Sequence, residues 1–253
     1  MFETFRHPNH YRFFLIFALA FILWSAGPAG SETYTYTYTF DAITNNNLSN
    51  AQAGEDQLRL TVSGKPNSSS VLFTFYEIGK TPMSITGIYF YYQEGSLNGT
   101  ELNSLTGIPP WDDQSQKGVS FQEVKEKDLT AQANLPGAKA LGLKKNYLVE
   151  CFTSVPPVVK TGINPGESLI IGFELPSGQD ITSVRSALNG WITDRHFDPG
   201  DLVIGLHVQG IKVNDVKSSE SFILHAAPLP ATVLLLGSGL FGLALLGWRR
   251  RKA

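Results

Sequence analysis

The densest run of groups able to do chemistry is Asp194-Arg195-His196-Phe197-Asp198-Pro199-Gly200-Asp201. Asp194, Asp198 and Asp201 offer carboxylate oxygens from irregular chain, the ligand type that Ca2+ takes. Their spacing is not the Asp-x-Asp-x-Asp-Gly register of an EF-hand, and no bidentate Glu follows in register. A solvated loop of Asx turns therefore competes with the calcium reading. His196, His207 and His225 lack the close spacing that marks a zinc site. Cys151 lies in the strand-like Tyr147-Leu148-Val149-Glu150-Cys151-Phe152 with no histidine beside it, so it reads as a buried apolar cysteine rather than a nucleophile. Trp111-Asp112-Asp113 could stack a sugar ring and take its hydroxyls, and Trp191, after Asn189-Gly190, offers a similar surface. Tryptophans so placed also plug the ends of β-sandwiches. No Gly-x-Ser-x-Gly nucleophile elbow occurs. We expect no catalytic residue, no cofactor and no enzyme activity.

The elements that would carry these residues are strands. Tyr34, Tyr36, Tyr38 and Phe40 alternate with Thr33, Thr35, Thr37 and Thr39, the period of two that a half-buried strand requires. Further strands are expected at 57–62, 71–78, 85–93, 145–152, 168–175, 202–213 and 221–225. Within 202–213, Leu202, Ile204, Leu206 and Val208 share one face, which leaves His207 half-exposed on the other. Turn chemistry separates the strands at 63–67, Asn98-Gly99, Asn164-Pro165-Gly166 and Asp198-Pro199-Gly200. Pro165 and Gly166 suit the two central positions of a type II turn, handing the chain to a strand after Glu167. One short helix is expected at 122–132. The fold class is all-β, a β-sandwich or jelly-roll ectodomain.

Charge narrows the partners. The chain has 20 basic and 22 acidic residues, net −2 at pH 7. Several of the basic residues belong to the two ends, so the body is more acidic than the whole, and a nucleic-acid partner is not expected. The single cysteine cannot form an internal disulfide.

Both ends read as targeting segments. At 1–29, Arg6 and Arg12 precede an apolar stretch at 13–24 and the small residues Ser25-Ala26-Gly27-Pro28-Ala29, the layout of a signal peptide cut after Ala29. An uncleaved anchor is the alternative. The body, 30–227, is then extracytoplasmic. From 228 to 253 the chain gives a neck, Pro228-Leu229-Pro230, an uncharged apolar run at 231–248 and a basic stop, Arg249-Arg250-Arg251-Lys252. As a helix the run spans roughly 27 Å, the thickness of a bilayer core. The basic cluster should stay cytoplasmic. The two prolines keep the neck extended, as a processing enzyme needs.

The run PLPATVLLLGSGLFGLALLGWRRRKA resembles the PEP-CTERM sorting domain of Gram-negative bacteria. That family's tail is read by an exosortase, a membrane transpeptidase-like enzyme. Leu229 stands where the name motif has Glu, so this is a Pro-Leu-Pro variant. The resemblance implies cutting near Pro228, Leu229, Pro230, Ala231 and Thr232, after export through the inner membrane, with release to the cell envelope or the extracellular space. Leu229-Pro230-Ala231-Thr232 also looks like the start of the sortase motif Leu-Pro-x-Thr-Gly, but Val233 replaces its Gly. A plain uncleaved tail anchor is the third reading. Residues 160–175 and 204–223 resemble ectodomains of PEP-CTERM proteins as well, which implies a β-rich surface domain and brings no catalytic residues. The expectation is a surface or biofilm-matrix protein of structural or interaction class. A carbohydrate-binding module associated with exopolysaccharide is the first alternative, and an exported hydrolase the second. A pair of carboxylates, or a His–Asp pair, converging in one cleft would favour the hydrolase.

Overall fold

The computed structural model describes residues 32–93, 97, 100–108, 118–124, 135–144 and 147–226. The chain divides into two units, Met1–Thr33 and Tyr34–Ala253, and every element below belongs to the second. The expected signal peptide, the glycan candidates Trp111, Asp112 and Asp113, the neck and the basic stop lie outside the described residues.

The described strands are β1 Tyr34–Ala42, β2 Leu58–Gly64, β3 Ser70–Glu77, β4 Ser84–Tyr92, β5 Glu101–Ile108, β6 Phe121–Glu123, β7 Leu148–Ser154, β8 Ser168–Glu174, β9 Leu202–Val213 and β10 Val216–Ala226. They form one antiparallel sheet in the order β5-β8-β3-β2-β1-β10-β9-β4-β7-β6. The helices are α1 Leu48–Gln57, α2 Val158–Thr161 and α3 Ile181–Asp194, and Ala138–Leu141 forms a 3-10 turn. The protein is all-β, as its alternating pattern predicts.

Period two builds the core. Leu58, Leu60 and Val62 on β2, Val71, Phe73 and Phe75 on β3, and Leu169, Ile171 and Phe173 on β8 are all buried in one cluster. Ile88 and Phe90 of β4, Phe152 of β7 and Ile204 and Leu206 of β9 belong to the same cluster. Phe90 meets Phe73 edge-on at 5.5 Å between centroids and Phe173 at 5.3 Å, and Phe152 meets Phe173 at 6.4 Å. β3 and β8 are far from β4 and β7 in the strand order, so the sheet folds back and its two halves share these rings. Each such pair adds about 0.5–1.5 kcal/mol beyond the area it buries.

β4 is buried on both faces. Ile88, Phe90 and Tyr92 face the main core, while Tyr89 and Tyr91 join a second cluster with Leu135, Ala138, Leu143, Cys151, Trp191 and Val203. The 3-10 turn and the end of α3 thereby cover the outer side of this half-sheet.

Two helices, α1 and α3, fall where no helix was expected. In α3, Ile181, Val184, Leu188 and Trp191 are buried at helical spacing. Asp180 caps it by accepting from the Thr182 N–H at 2.8 Å, and it also accepts from the Asn67 N–H at 2.8 Å. In α1, Asn47 is the cap, accepting from the Asn50 N–H at 3.0 Å. The expected helix at 122–132 is corrected at its start. Phe121–Glu123 is strand, with Phe121 opposite Ser154 and Gln122 opposite Thr153, because an open edge of β7 supplies ladder partners there. Residues 125–134 lie outside the described residues.

The Asn164–Glu167 turn forms as its residues predict. The Glu167 N–H donates to the Asn164 carbonyl at 2.9 Å, Gly166 has φ +88°, and β8 follows at Ser168.

Candidate functional site

The aspartate-rich loop does not gather its carboxylates around one point. Asp194 accepts from the His196 N–H at 2.9 Å, and Asp201 accepts from the Asp198 N–H at 3.0 Å. The first is a local Asx turn of the competing reading, and the second closes the Asp198–Asp201 turn from the other side. Among the described residues no group of three or more His, Cys, Asp or Glu is placed to hold a metal. Burial holds the Asp201 carboxyl above the usual carboxylate range.

Trp191 corrects the sugar-stacking expectation for that residue. Its side chain is fully buried and its indole N–H donates to the Leu224 carbonyl at 3.3 Å, because α3 turns that face onto β10. Cys151 is buried, and burial, with Glu150 beside it, pushes its thiol up to about 12. A thiol so protonated is no nucleophile at neutral pH. His207 sits partly buried on β9, 3.4 Å from the Ser221 hydroxyl, and burial lowers its pKa. Ser221 is fully buried, so the pair has no access to substrate.

A His–Asp approach does occur, between His225 and Asp41 at 3.5 Å. Arg195 bridges the two from one side. It contacts Asp41 Oδ2 at 2.5 Å and donates to His225 Nδ1 at 2.5 Å, so that ring nitrogen is an acceptor and passes no proton to Asp41. The cluster ties α3 to β1 and β10.

A convergence that sequence reading missed lies at the end of the main core. Inward alternation runs Val71, Phe73, Phe75 and then Glu77 on β3, and Phe173, Ile171, Leu169 and then Glu167 ahead of β8. Tyr76 pairs with Ser168, so the next step of the register sets Glu77 opposite Glu167. Their exposures are 6% and 2%. Burial first, and the facing Glu167 second, raise Glu77 well above the usual carboxylate range. Burial also raises Glu167, against the Asn164 hydrogen bonds that lower it. The signal was in the sequence, since each apolar alternation ends in a glutamate of the inward parity.

Glu167 also lines a cleft of about 490 Å3 with Lys80, Lys212 and Lys217 on its walls. Glu77 is not among the lining residues. At another point the core opens into a smaller apolar cavity of about 130 Å3, lined by Phe73, Phe90, Phe173, Leu175 and Leu202, with Glu150 at its wall. Burial, with Glu123 adding to it, pushes Glu150 up to about 7. A bulge in the β4–β7 ladder sets Glu150 opposite Phe90 and leaves Val149 exposed.

No family model, no curated protein and no solved structure matches this chain. Among the described residues no helix is long and apolar enough to cross a membrane, and 231–248, where the span is expected, lies outside them.

Proposed function

We propose that this is an exported surface protein of structural or interaction class, held by its C-terminal helix and then cut by an exosortase-type enzyme. The observation that carries the reading is the tail itself, with its proline neck, bilayer-length apolar run and basic stop. Pro228 and Pro230 have no N–H to give to a β-ladder, which suits the neck sequence to a processing enzyme that needs extended, unpaired backbone. In this reading the protein is the substrate, the helix holds it beside the membrane enzyme, and the released product is the β domain. That domain is read as a sandwich of jelly-roll type. The orders β3-β8-β5 and β9-β4-β7, with connections that cross between the two halves, support this finer assignment.

Intact mass of the protein from its own host tests the proposal. A C-terminus near Pro230 only when the exosortase is present supports it. A C-terminus at Ala253 with and without the enzyme overturns it.

The carbohydrate-binding reading draws support from the cleft. Lys80, Lys212 and Lys217 would favour an acidic glycan, through contacts that weaken with salt. Binding of a polyuronate that is lost in the double variant Lys80→Glu, Lys217→Glu would support it. No binding at low salt would count against it. The hydrolase reading is weaker, since only one of the two converging glutamates reaches the cleft wall and the His225 nitrogen facing Asp41 accepts from Arg195.

A further inference from the structure

Among the described residues, three buried carboxylate oxygens have no hydrogen-bond partner: Oε1 and Oε2 of Glu77 and Oε1 of Glu167. Buried polar atoms are nearly always partnered, so three such atoms on two facing side chains mark a place where a ligand would be satisfied. Directly opposed residues of an antiparallel pair have β-carbons about 4.5–5.5 Å apart and point to the same side. Neither carboxyl hydrogen-bonds the other, since both oxygens of Glu77 are unpartnered. Among the described residues no Lys, Arg or His forms an ion pair with either one. When ionised, the two carboxylates would face each other out of water without a counter-charge, and a bound cation would supply one.

We propose that Glu77 and Glu167 bind one hard divalent cation, calcium, which bridges their carboxylates. Calcium takes oxygen ligands in flexible geometry, usually six to eight of them, so carboxylates can be joined by carbonyls and water. Its charge balances the pair. One ligand is already fixed in place. Glu167 Oε2 accepts from the Asn164 N–H at 2.8 Å and from its side-chain amide at 2.7 Å, which orients the carboxylate and leaves Oε1 free. The type II turn through Pro165 and Gly166 holds that geometry. Glu167 borders a cleft open to solvent, the side from which a cation would approach. Its three lysines oppose a cation, but all are exposed, and Lys212 is held at 2.8 Å by Asp215. Exposed charges are screened by water and salt, whereas buried carboxylates are not. This site is separate from Asp194, Asp198 and Asp201.

The test is calcium titration of the full-length protein in detergent at neutral pH after chelation, read by calorimetry and thermal melting. The expected result is uptake of one calcium per chain and a melting temperature that climbs with calcium concentration. Both should be lost in Glu77→Gln and in Glu167→Gln and kept in Asp201→Asn. The infrared carboxylate stretch of the wild type should shift in proportion to calcium up to one equivalent, a readout that needs no variant to fold. Absence of heat and of the infrared shift overturns the proposal. So does a calcium response that survives both glutamine variants. Stabilisation by acid with no calcium response also overturns it, and would mean that the pair is satisfied by protons.

Discussion

The ring of Phe222 fills the space that a β-carbon on Gly54 would need. Gly54 lies inside α1, where alanine ordinarily stabilises by about 1 kcal/mol. Here the helix crosses β10 so closely that the added carbon would meet a fully buried ring. Gly54→Ala should therefore destabilise, by about 1–3 kcal/mol, the usual cost of overpacking. Urea unfolding checks the sign, and a variant more stable than the wild type would refute the packing argument.

Asn50 is the polar counterpart of that contact. It is fully buried, and its amide donates to the Ile211 carbonyl at 3.1 Å, the Val216 carbonyl at 3.2 Å and the Ser218 hydroxyl at 2.9 Å. Its oxygen accepts from the Val213 N–H at 3.0 Å. Asn50→Ala removes the side-chain partner of the Val213 N–H and of the Ile211 and Val216 carbonyls, while the Ser218 hydroxyl keeps its bond to Glu220, and each buried group left orphaned costs about 1–3 kcal/mol. A loss of at least that size is expected in chemical denaturation. Hydrogen exchange should quicken first at Val213, beside the β9–β10 turn.

The buried carboxyls set a pH dependence. Glu150 has its folded pKa raised from 4.5 to about 7 by burial. Glu77 and Glu167 are raised in the same direction. A raised carboxyl binds its proton more tightly when folded, so its contribution is complete below the unfolded pKa and is lost as pH rises through the folded one. In chelator, the urea midpoint should fall between pH 5 and pH 8, and Glu150→Gln should flatten part of that slope. A midpoint that rises over this window would contradict the assignment.

Cys151 should resist thiol reagents in the native state at pH 7–8 and react fully in urea. With its thiol pushed up to about 12 inside the second cluster, both thiolate and access are missing. Fast native labelling by iodoacetamide would show that the cluster opens.

The strands were legible because their chemistry is local. Alternation at Tyr34–Phe40 and at Leu202–Val208 reports which side of a strand meets the core, and no distant residue is needed to read it. β5 and β6 were not among the expected strands. Ser104, Thr106, Gln122 and Glu123 lend these edge segments little apolar alternation, and their neighbours β8 and β7 supply the ladder instead. α3 was missed although Ile181, Val184, Leu188 and Trp191 keep helical spacing, because Thr182, Asn189 and Gly190 dilute its helix propensity. Gly190 has a tertiary reason to be there, since a β-carbon on it would run into Asp201. Trp191 read as a sugar platform from its neighbours, and only the packing of α3 on β10 turned it inward. Glu77 and Glu167 stand 90 positions apart, and it is the β3–β8 register that makes them neighbours.

β1 and β10 pair in antiparallel register, with Tyr38 opposite Ala226 and Ala42 opposite Phe222, so the first and last described strands are joined to each other. The start of β1 and the end of β10 therefore leave the sheet from the same end. A tensile load applied between those two points would open their ladder one rung at a time, as a zip, rather than shear all the rungs at once. Such an opening would begin at the Tyr38–Ala226 rung, so little mechanical resistance is expected in that direction.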